Sequence, residues 1–300
     1  MANLLDLRRR IKSVKNTQQI TKAMKMVSAA RLKRAQDRVV AARPFATKMT
    51  EVLGDLAARA GEDFSHPLLD RRDAEGRQER ILVVLITADR GLCGALNTNI
   101  VKATQSFIRE NAASRIEMIA VGRKGRDAFR RRNVEIVAEH VGLTGRGRIE
   151  YSEAAELARE IIDRFTSDET IDRVYLVYNE FRSVLSQRVV VEQLLPLARV
   201  ETADVAANVA GQAGGVDYVY EQPPAEIFAR LLPRFVETQV FRALLESIAS
   251  EQGARMTAMD AASKNAGELI DSLTLNMNRI RQAAITTEII EVVSGSAALA

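Results

Sequence analysis

The residue types that build disulfides and metal sites are scarce in this sequence. Its 300 residues include one cysteine, two histidines and no tryptophan, and only 5% of them are aromatic. A single cysteine excludes an intramolecular disulfide framework and a cysteine-based zinc site, and two histidines make a poor metal set. The cleanest apolar run, residues 81–86, is far shorter than the roughly 18–20 residues of a membrane span. We therefore expect a soluble protein that holds no metal or cofactor.

The net charge of +4 conceals a strong asymmetry along the chain. Residues 1–48 carry thirteen basic side chains against two acidic ones, a formal charge of +11, which leaves −7 for the remainder. A basic segment of this density favours an acidic partner. Nucleic acid, a membrane surface and acidic protein loops all remain open as that partner.

Apolar residues near the N-terminus follow the alternating three- and four-residue spacing of a coiled-coil seam. The spacing holds over residues 4–14 and returns in the same register over residues 32–60. It predicts a long helix in the segment 1–60. Pro44 lies inside the pattern, and because proline lacks an N–H and crowds the preceding turn, we expect a kink or break there. We expect residues 61–76 to form a surface connection.

Between the two apolar stretches the seam positions are polar, namely Gln18, Thr21, Lys25 and Ser28. Apolar side chains lie to one side of them, at Ile20, Met24 and Val27. We expect the helix to continue through this polar interval with its buried face moved sideways onto those apolar residues.

The middle of the chain changes to short β-rich runs that alternate with helical ones, a pattern typical of an α/β domain with a largely parallel sheet. We predict strands at 80–87, 115–121, 133–140, 171–179 and 186–194, and helices near 95–111, 123–131 and 149–166. Residues 201–216 are rich in alanine and glycine without a strong period, which predicts a mobile loop or flap.

The seam spacing returns in the last part of the chain and runs from Met256 to Thr287, over more than four heptads. A helix over 235–293 would measure roughly 85–90 Å, far more than the radius of a compact domain of the intervening size. Because one terminal helix enters that domain and the other leaves it, we expect the two to pair antiparallel as a rod on a globular foot. The predicted segments are 1–60, 77–222 and 225–300.

The turn at residues 87–94 is the most enzyme-like feature, since a glycine-bearing turn between a strand and a helix can present N–H groups to a phosphate. It matches neither common nucleotide-binding glycine motif, so a tight turn stabilised by Asp89 and Asn97 is favoured. Cys93 is favoured as a small structural residue because no histidine can be placed beside it as a base. The basic clusters 122–126 and 130–132 need no ligand as a solvated helix face. A nucleotide enzyme remains an open alternative.

Four motifs then suggest a family. They are Ile-Thr-Lys-Ala-Met-Lys-Met-Val at 20–27, Asp-Arg-Gly-Leu-Cys-Gly at 89–94, Ser-Glu-Gln with Ala-Arg-Met at 250–256, and Arg-Gln-Ala-Ala-Ile-Thr-Thr-Glu with Val-Ser-Gly at 281–295. Together, and in this order, they closely resemble the gamma subunit of bacterial F-type ATP synthases. The resemblance covers essentially the whole chain.

The resemblance implies a central-stalk rotor that couples rotation of the proton-driven c ring to conformational change in the catalytic beta subunits. It implies an antiparallel coiled coil on a Rossmann-like α/β foot, no catalytic site of its own, and a peripheral place on the cytoplasmic face of the plasma membrane. The implied partners are the ring of alpha and beta subunits, the epsilon subunit and the c ring. No nucleic acid and no direct membrane insertion are expected.

The resemblance also implies residues for these contacts. Basic side chains predicted to approach acidic loops of the beta subunits are Lys25, Arg31, Lys33 and Arg34. Other residues within matching motifs, predicted to lie at or near the catalytic ring, are Met24, Arg255, Arg281, Gln282 and Thr286. Tyr218 and Glu221 match the segment that meets the c ring. A basic coiled-coil adaptor that binds nucleic acid through residues 8–38 remains the main alternative, although that stretch lacks interleaved aromatic residues for base stacking.

Overall fold

The computed structural model describes residues 4–60, 64–72, 76–197 and 221–299. They form two compact units, one from residues 1–29 and 255–300 and the other from residues 30–254. We call these the terminal unit and the central unit. The helices are α1 (Leu4–Ala60), α2 (Leu96–Glu110), α3 (Arg123–Arg130), α4 (Tyr151–Ser167) and α5 (Pro224–Leu299). The strands are β1 (Arg80–Ile86), β2 (Arg115–Val121), β3 (Glu135–His140), β4 (Arg173–Phe181) and β5 (Gln187–Leu195).

The central unit is built on one five-stranded sheet in the order β3-β2-β1-β4-β5. The first four strands pair parallel, and β5 returns antiparallel beside β4, so the sheet is mixed. β1 lies in the middle with six of its seven residues buried, as expected for a strand covered on both faces. The α/β fold with long helices at both ends is thereby confirmed. The predicted loop at 201–216 lies outside the described residues.

Two local features differ from expectation. α1 is a single 57-residue helix that includes Pro44, so of the expected kink or break, the break does not occur. The connection after α1 is also not simply a surface segment, because Leu68 is 1% exposed and Leu69 is 8% exposed. The ring of Phe64 lies 5.0 Å from that of Phe228 on α5. Burial of these apolar side chains is favourable in free energy. The proline and the many charged residues in this segment led us to expect that it was exposed.

In the terminal unit, the first part of α1 pairs antiparallel with the last part of α5. Lys25 contacts Asp260 and Gln18 contacts Ser263, so residue numbers fall along one helix as they rise along the other. The expected sideways move of the buried face is wrong. Thr21 and Ser28 are only 8% and 2% exposed, whereas Ile20 and Val27 are 59% and 52% exposed. The seam therefore continues straight through its polar interval.

The same seam is confirmed on α5. Met259, Ser263 and Ala266 are buried, and the later seam positions from Ile270 to Ala284 are half-buried. Within the described ranges, no helix is long and apolar enough to cross a membrane. No group of three histidine, cysteine or acidic side chains among the same residues could hold a metal ion.

Candidate partner-binding surfaces

The turn after β1 is stabilised by Asp89, whose carboxylate bonds to distant parts of the chain. It accepts hydrogen bonds from the backbone N–H groups of Arg123 at 3.0 Å, Gly142 at 3.0 Å and Gly145 at 2.7 Å, and from the hydroxyl of Thr144 at 3.0 Å. Burial alone favours the protonated acid, but these bonds outweigh it and lower the pKa of Asp89. All this bonding capacity is used within the fold, including the first N–H of α3, which a phosphate would otherwise meet.

The backbone itself closes the carboxyl edge of the sheet beside this turn. Gly122 approaches Thr87 so closely that a Cβ on it would lie 2.1 Å from the Thr87 carbonyl oxygen. The Thr87 hydroxyl accepts from the N–H of Gly125 at 2.8 Å and donates to the carbonyl of Val121 at 3.1 Å. In doubly wound folds, a nucleotide lies in a crevice at this edge. Here the corresponding polar groups are bonded to one another.

Cys93 has the structural surroundings expected for it. The residue is 1% exposed, and the side-chain amide of Asn97 donates to its sulfur at 3.1 Å. The amide oxygen of Asn97 accepts from the N–H of Ala88 at 3.2 Å, which closes the turn locally. The predicted role of Asn97 is confirmed, whereas Asp89 acts at long range rather than locally.

Two arginines of the basic cluster around α3 are paired with acidic neighbours. Arg126 bonds to Asp127, and both Arg126 and Arg130 pair with Glu139 on β3. Arg123 and Lys124 are exposed. This arrangement matches a solvated helix face rather than a phosphate pocket.

The basic side chains of α1 within the central unit differ in what they can offer a partner. Arg34 is exposed, whereas Lys33 is exposed but pairs with Asp37 at 2.9 Å on its own helix. Arg31 is half-buried against Gly147, and Arg38 donates to the carbonyl of Ile149 at 3.1 Å. Of the predicted cations on this stretch, Arg34 is the most available to a partner, because it is exposed and the other two contact groups of this chain.

Two predicted contact residues lie in the polar interval of the terminal unit. Met24 is half-buried. The ammonium of Lys25 lies 2.7 Å from the carboxylate of Asp260, so this cation is already paired inside the protein. The pairing with Lys25, and secondly with Lys264, lowers the pKa of Asp260. Contact of Lys25 with a beta subunit stays a prediction.

The predicted contacts on α5 fall into a buried and an exposed set. Arg255 is 7% exposed, whereas Arg281, Gln282 and Thr286 are all exposed. By the register of Lys25 with Asp260, Leu4 lies opposite residue 281, so α5 continues past the first described turn of α1. Every side chain described from Ile285 to Ser294 is exposed, and several are large and apolar, namely Ile285, Ile289, Ile290, Val292 and Val293.

Glu221 is exposed just before α5, and Tyr218 lies outside the described residues. The structure also reveals three contact residues that the sequence did not single out as such. Asp260, Ser263 and Gly267 meet Lys25 and Gln18 across the seam of the terminal unit. The available signal was the polar residues at successive seam positions of α1, which we interpreted as a sideways move of the buried face rather than as groups paired with α5.

Comparisons with known proteins agree over the whole chain. A family model described as ATP synthase matches residues 3–299. The ATP synthase gamma chain of Solibacter usitatus is 53% identical over 99% of both chains. That of Desulforamulus reducens is 52% identical and that of Desulfitobacterium hafniense 49% identical, each over the full length of both chains.

Solved structures agree with the fold. A chain of the Tetrahymena thermophila mitochondrial ATP synthase central stalk and c ring matches with a TM-score of 0.59 and 27% identity, over 81% of this chain and 99% of that one. A chain of the Euglena gracilis mitochondrial ATP synthase, from an assembly of OSCP, F1 and c ring, matches with a TM-score of 0.67 and 21% identity. The match covers 99% of this chain and 94% of that one.

Proposed function

Because this chain belongs to the ATP synthase gamma-chain family, we propose that it is the central-stalk rotor subunit of a proton-translocating F-type ATP synthase. The observation that carries the proposal is full-length identity near 50% to bacterial gamma chains. The long helices at the two ends of the chain, separated in sequence by the α/β sheet, are the elements that such a role needs. The comparisons give no support to a nucleic-acid adaptor.

The chain acts as a mechanical part of an enzyme and has no catalytic site of its own. An asymmetric shaft inside a ring of three equivalent catalytic positions contacts each of them differently. Turning the shaft moves each contact to the next position, and a difference in contact free energy is what shifts a conformational equilibrium. In synthesis the c ring turns the shaft, and in hydrolysis the catalytic ring turns it the other way.

We propose the alpha and beta subunits as partners of the terminal helices. Arg34 and, less freely, Arg31, Lys33 and Lys25 provide positive charge that attracts acidic loops over a distance without fixing one position. The apolar surface of α5 beyond Ala284 lacks an opposing helix among the described residues, and a surrounding sleeve would bury it. Arg281, Gln282 and Thr286 are exposed near that surface.

We propose the epsilon subunit and the c ring as partners of the central unit, with Tyr218 and Glu221 in the segment that meets the c ring. We propose that this complex lies at the cytoplasmic face of the plasma membrane, with this chain as a peripheral subunit, and the bacterial origin of the relatives supports that location. Proton transport belongs to the assembled complex rather than to this chain.

Co-expression with the alpha and beta subunits of the same bacterium tests this function. We expect an ATPase complex that contains this chain. Ile289→Asp should weaken assembly, because it places a charge on the apolar end of α5, and should leave the isolated chain folded because Ile289 is 57% exposed. Glu291→Gln on the same exposed stretch is the control and should assemble normally. A folded chain that never enters the complex would contradict the proposal.

A further inference from the structure

Two polar contacts join the helices of the terminal unit across their seam. The ammonium of Lys25 donates to Asp260 Oδ1 at 2.7 Å, and Lys264 lies 3.3 Å from the other oxygen of the same carboxylate. Seven residues earlier on α1, the side-chain amide of Gln18 donates to the carbonyl of Ser263 at 3.2 Å. The contacts thus recur at one heptad spacing on α1.

Gly267 makes room for the second contact. A Cβ at this position would lie 3.1 Å from the amide nitrogen of Gln18, tighter than an ordinary van der Waals contact. Glycine in a helix interior is unfavourable because it adds backbone freedom to the unfolded chain. Its presence in the middle of α5 is explained by the approach of the Gln18 side chain.

These contacts contribute little to stability. The side chains of Lys25 and Asp260 are 44% and 34% exposed, and ion pairs with that much solvent are screened and cost side-chain entropy. The apolar part of the seam, in contrast, stabilises the helix pair by burial but distinguishes poorly between alternative registers. Its side chains on α5, such as Met259, Ala266, Ile270, Leu273 and Met277, repeat at heptad spacing, so a shift by one heptad again places apolar side chains together.

We propose that Lys25–Asp260 and Gln18–Ser263 set the axial register of the antiparallel helix pair. A shift of one heptad moves one helix along the other by about 10 Å. In one direction it would leave Lys25 opposite Gly267 instead of a carboxylate. Polar groups at seam positions are known to select one register over others at some cost in stability, and this pair does so between helices at opposite ends of the chain.

The claim about register stands on the helix pair alone, while its consequence for coupling rests on the proposed function. The register determines how far the end of α5 extends past α1. It therefore also determines the axial position of the exposed apolar and polar groups at that end of α5. A rotor whose surface contacts are displaced along its axis would still fold, but it would meet its catalytic partners at the wrong positions. Lys25, Asp260 and Gln18 are therefore positioning residues.

Spin labels on cysteines introduced at Asn16 and Asn265 report the register in the full-length chain. Both positions are exposed on the paired helices, and the native Cys93 is 1% exposed and so protected from labelling. Asp260→Lys replaces attraction by repulsion from both Lys25 and Lys264. Asp271→Lys makes the same change of charge at an exposed position of the same helix and is the matched control.

We expect one narrow distance distribution in the parent and in Asp271→Lys. Asp260→Lys should broaden the distribution or shift it by more than about 5 Å, half of a heptad step. The double variant Lys25→Asp/Asp260→Lys should restore the parental distribution, since the remaining like-charge contact with Lys264 is an exposed pair on one helix and weak. A parental distribution in Asp260→Lys, or no restoration in the swap, would overturn the proposal.

A milder variant keeps the test valid if Asp260→Lys fails to fold by circular dichroism. Gly267→Ala should broaden the label distances by displacing Gln18, and Gln18→Ala alone should broaden them likewise, because it removes the same contact. An unchanged distribution in Gly267→Ala would count against the contact. The coupling arm uses the assembled ATPase, in which Asp260→Lys should hydrolyse ATP with several-fold less proton pumping per ATP than the charge swap. Normal coupling with a shifted register would reject the functional consequence alone.

Discussion

The two units bury polar groups in opposite ways. In the central unit, buried Thr87 and Asp89 each bond to distant backbone groups, so that removing either leaves donors without acceptors. In the terminal unit, buried Thr21 bonds only to the carbonyl of Gln18 on its own helix, at 3.0 Å. The first arrangement joins distant segments at the sheet edge, whereas the Thr21 hydroxyl adds polarity to the seam without joining the two helices. Stability should therefore depend on polar groups in the central unit and on apolar ones in the terminal unit.

Gly122→Ala should have the largest effect. A Cβ there would lie 2.1 Å from the Thr87 carbonyl oxygen, and backbone on both sides cannot yield, so we expect a loss of more than about 4 kcal/mol in the free energy of unfolding. Gly142→Ala is the matched control. Its φ of +93° is within 1° of the +92° of Gly122, yet nothing lies within 4 Å of a Cβ added there, so this variant should lose only about 1–2 kcal/mol. All five tyrosines lie between residues 151 and 220, so tyrosine fluorescence during urea unfolding reports the central unit. Similar losses in both variants would refute the close approach.

Asp89→Asn should be the next most damaging change, at about 3 kcal/mol, because an amide group cannot accept from all the donors around it. Asp163→Asn on the exposed face of α4 is the control and should be near neutral. The lowered pKa of Asp89 also gives a pH dependence. Its stabilisation is fully present above the unfolded-state pKa of about 3.9 and is lost as the pH falls through the lower folded-state pKa. The difference in the free energy of unfolding between the parent and Asp89→Asn should therefore shrink as the pH is lowered. A difference that stays constant to low pH would contradict this.

Thr87→Val should cost about 1–3 kcal/mol, because the N–H of Gly125 then loses its acceptor in a buried place. Urea unfolding followed by tyrosine fluorescence measures it. Thr87→Ser keeps the hydroxyl and serves as the control, with a smaller loss that reflects only the missing methyl group. Equal losses in both variants would show that the loss of stability comes from altered packing and not from the missing hydrogen bond.

The same substitution in the terminal unit, Thr21→Val, should have the smallest effect and the opposite sign. It removes a hydroxyl that bonds only within its helix and places a methyl group in the seam, so a gain of up to about 0.5 kcal/mol is expected. Amide hydrogen exchange of peptides from residues 4–29 measures the change locally. Val27→Thr at an exposed position should leave exchange unaltered. Faster exchange in Thr21→Val would remove the contrast between the units.

Sequence patterns predicted the elements far better than the details of their packing. Strand and helix positions followed from hydrophobic periodicity, and the heptad spacing located the seam through Leu7, Ile11 and the later α5 positions. The buried face in the polar interval was missed because apolar Ile20 and Val27 outweighed Thr21 and Ser28 in a count of hydrophobicity. The antiparallel partner decides which face is covered, and that partner lies more than 200 residues away.

The polar contacts depend on the same long-range geometry. The role of Asp89 requires knowing that residues 123 and 142–145 return to the end of β1, which spacing along the chain does not reveal. The family resemblance predicted Lys25 as a cation for an outside partner, and nothing near it in sequence indicated an acid within the same chain. Asp260 provides that acid from α5, and Lys33 meets Asp37 on its own helix. Pro44 was overestimated as a breaker because tertiary packing of a long helix offsets one lost hydrogen bond.

Rotation in a single complex tests the central claim most directly. The chain is assembled with its alpha and beta subunits, the catalytic ring is fixed to a surface, and a probe is attached to a cysteine introduced at exposed Arg109 in the central unit. The proposed rotor predicts continuous rotation of the probe in one direction, dependent on ATP and stopped when ATP is removed. A complex that contains this chain and hydrolyses ATP at a normal rate while the probe stays fixed would contradict it.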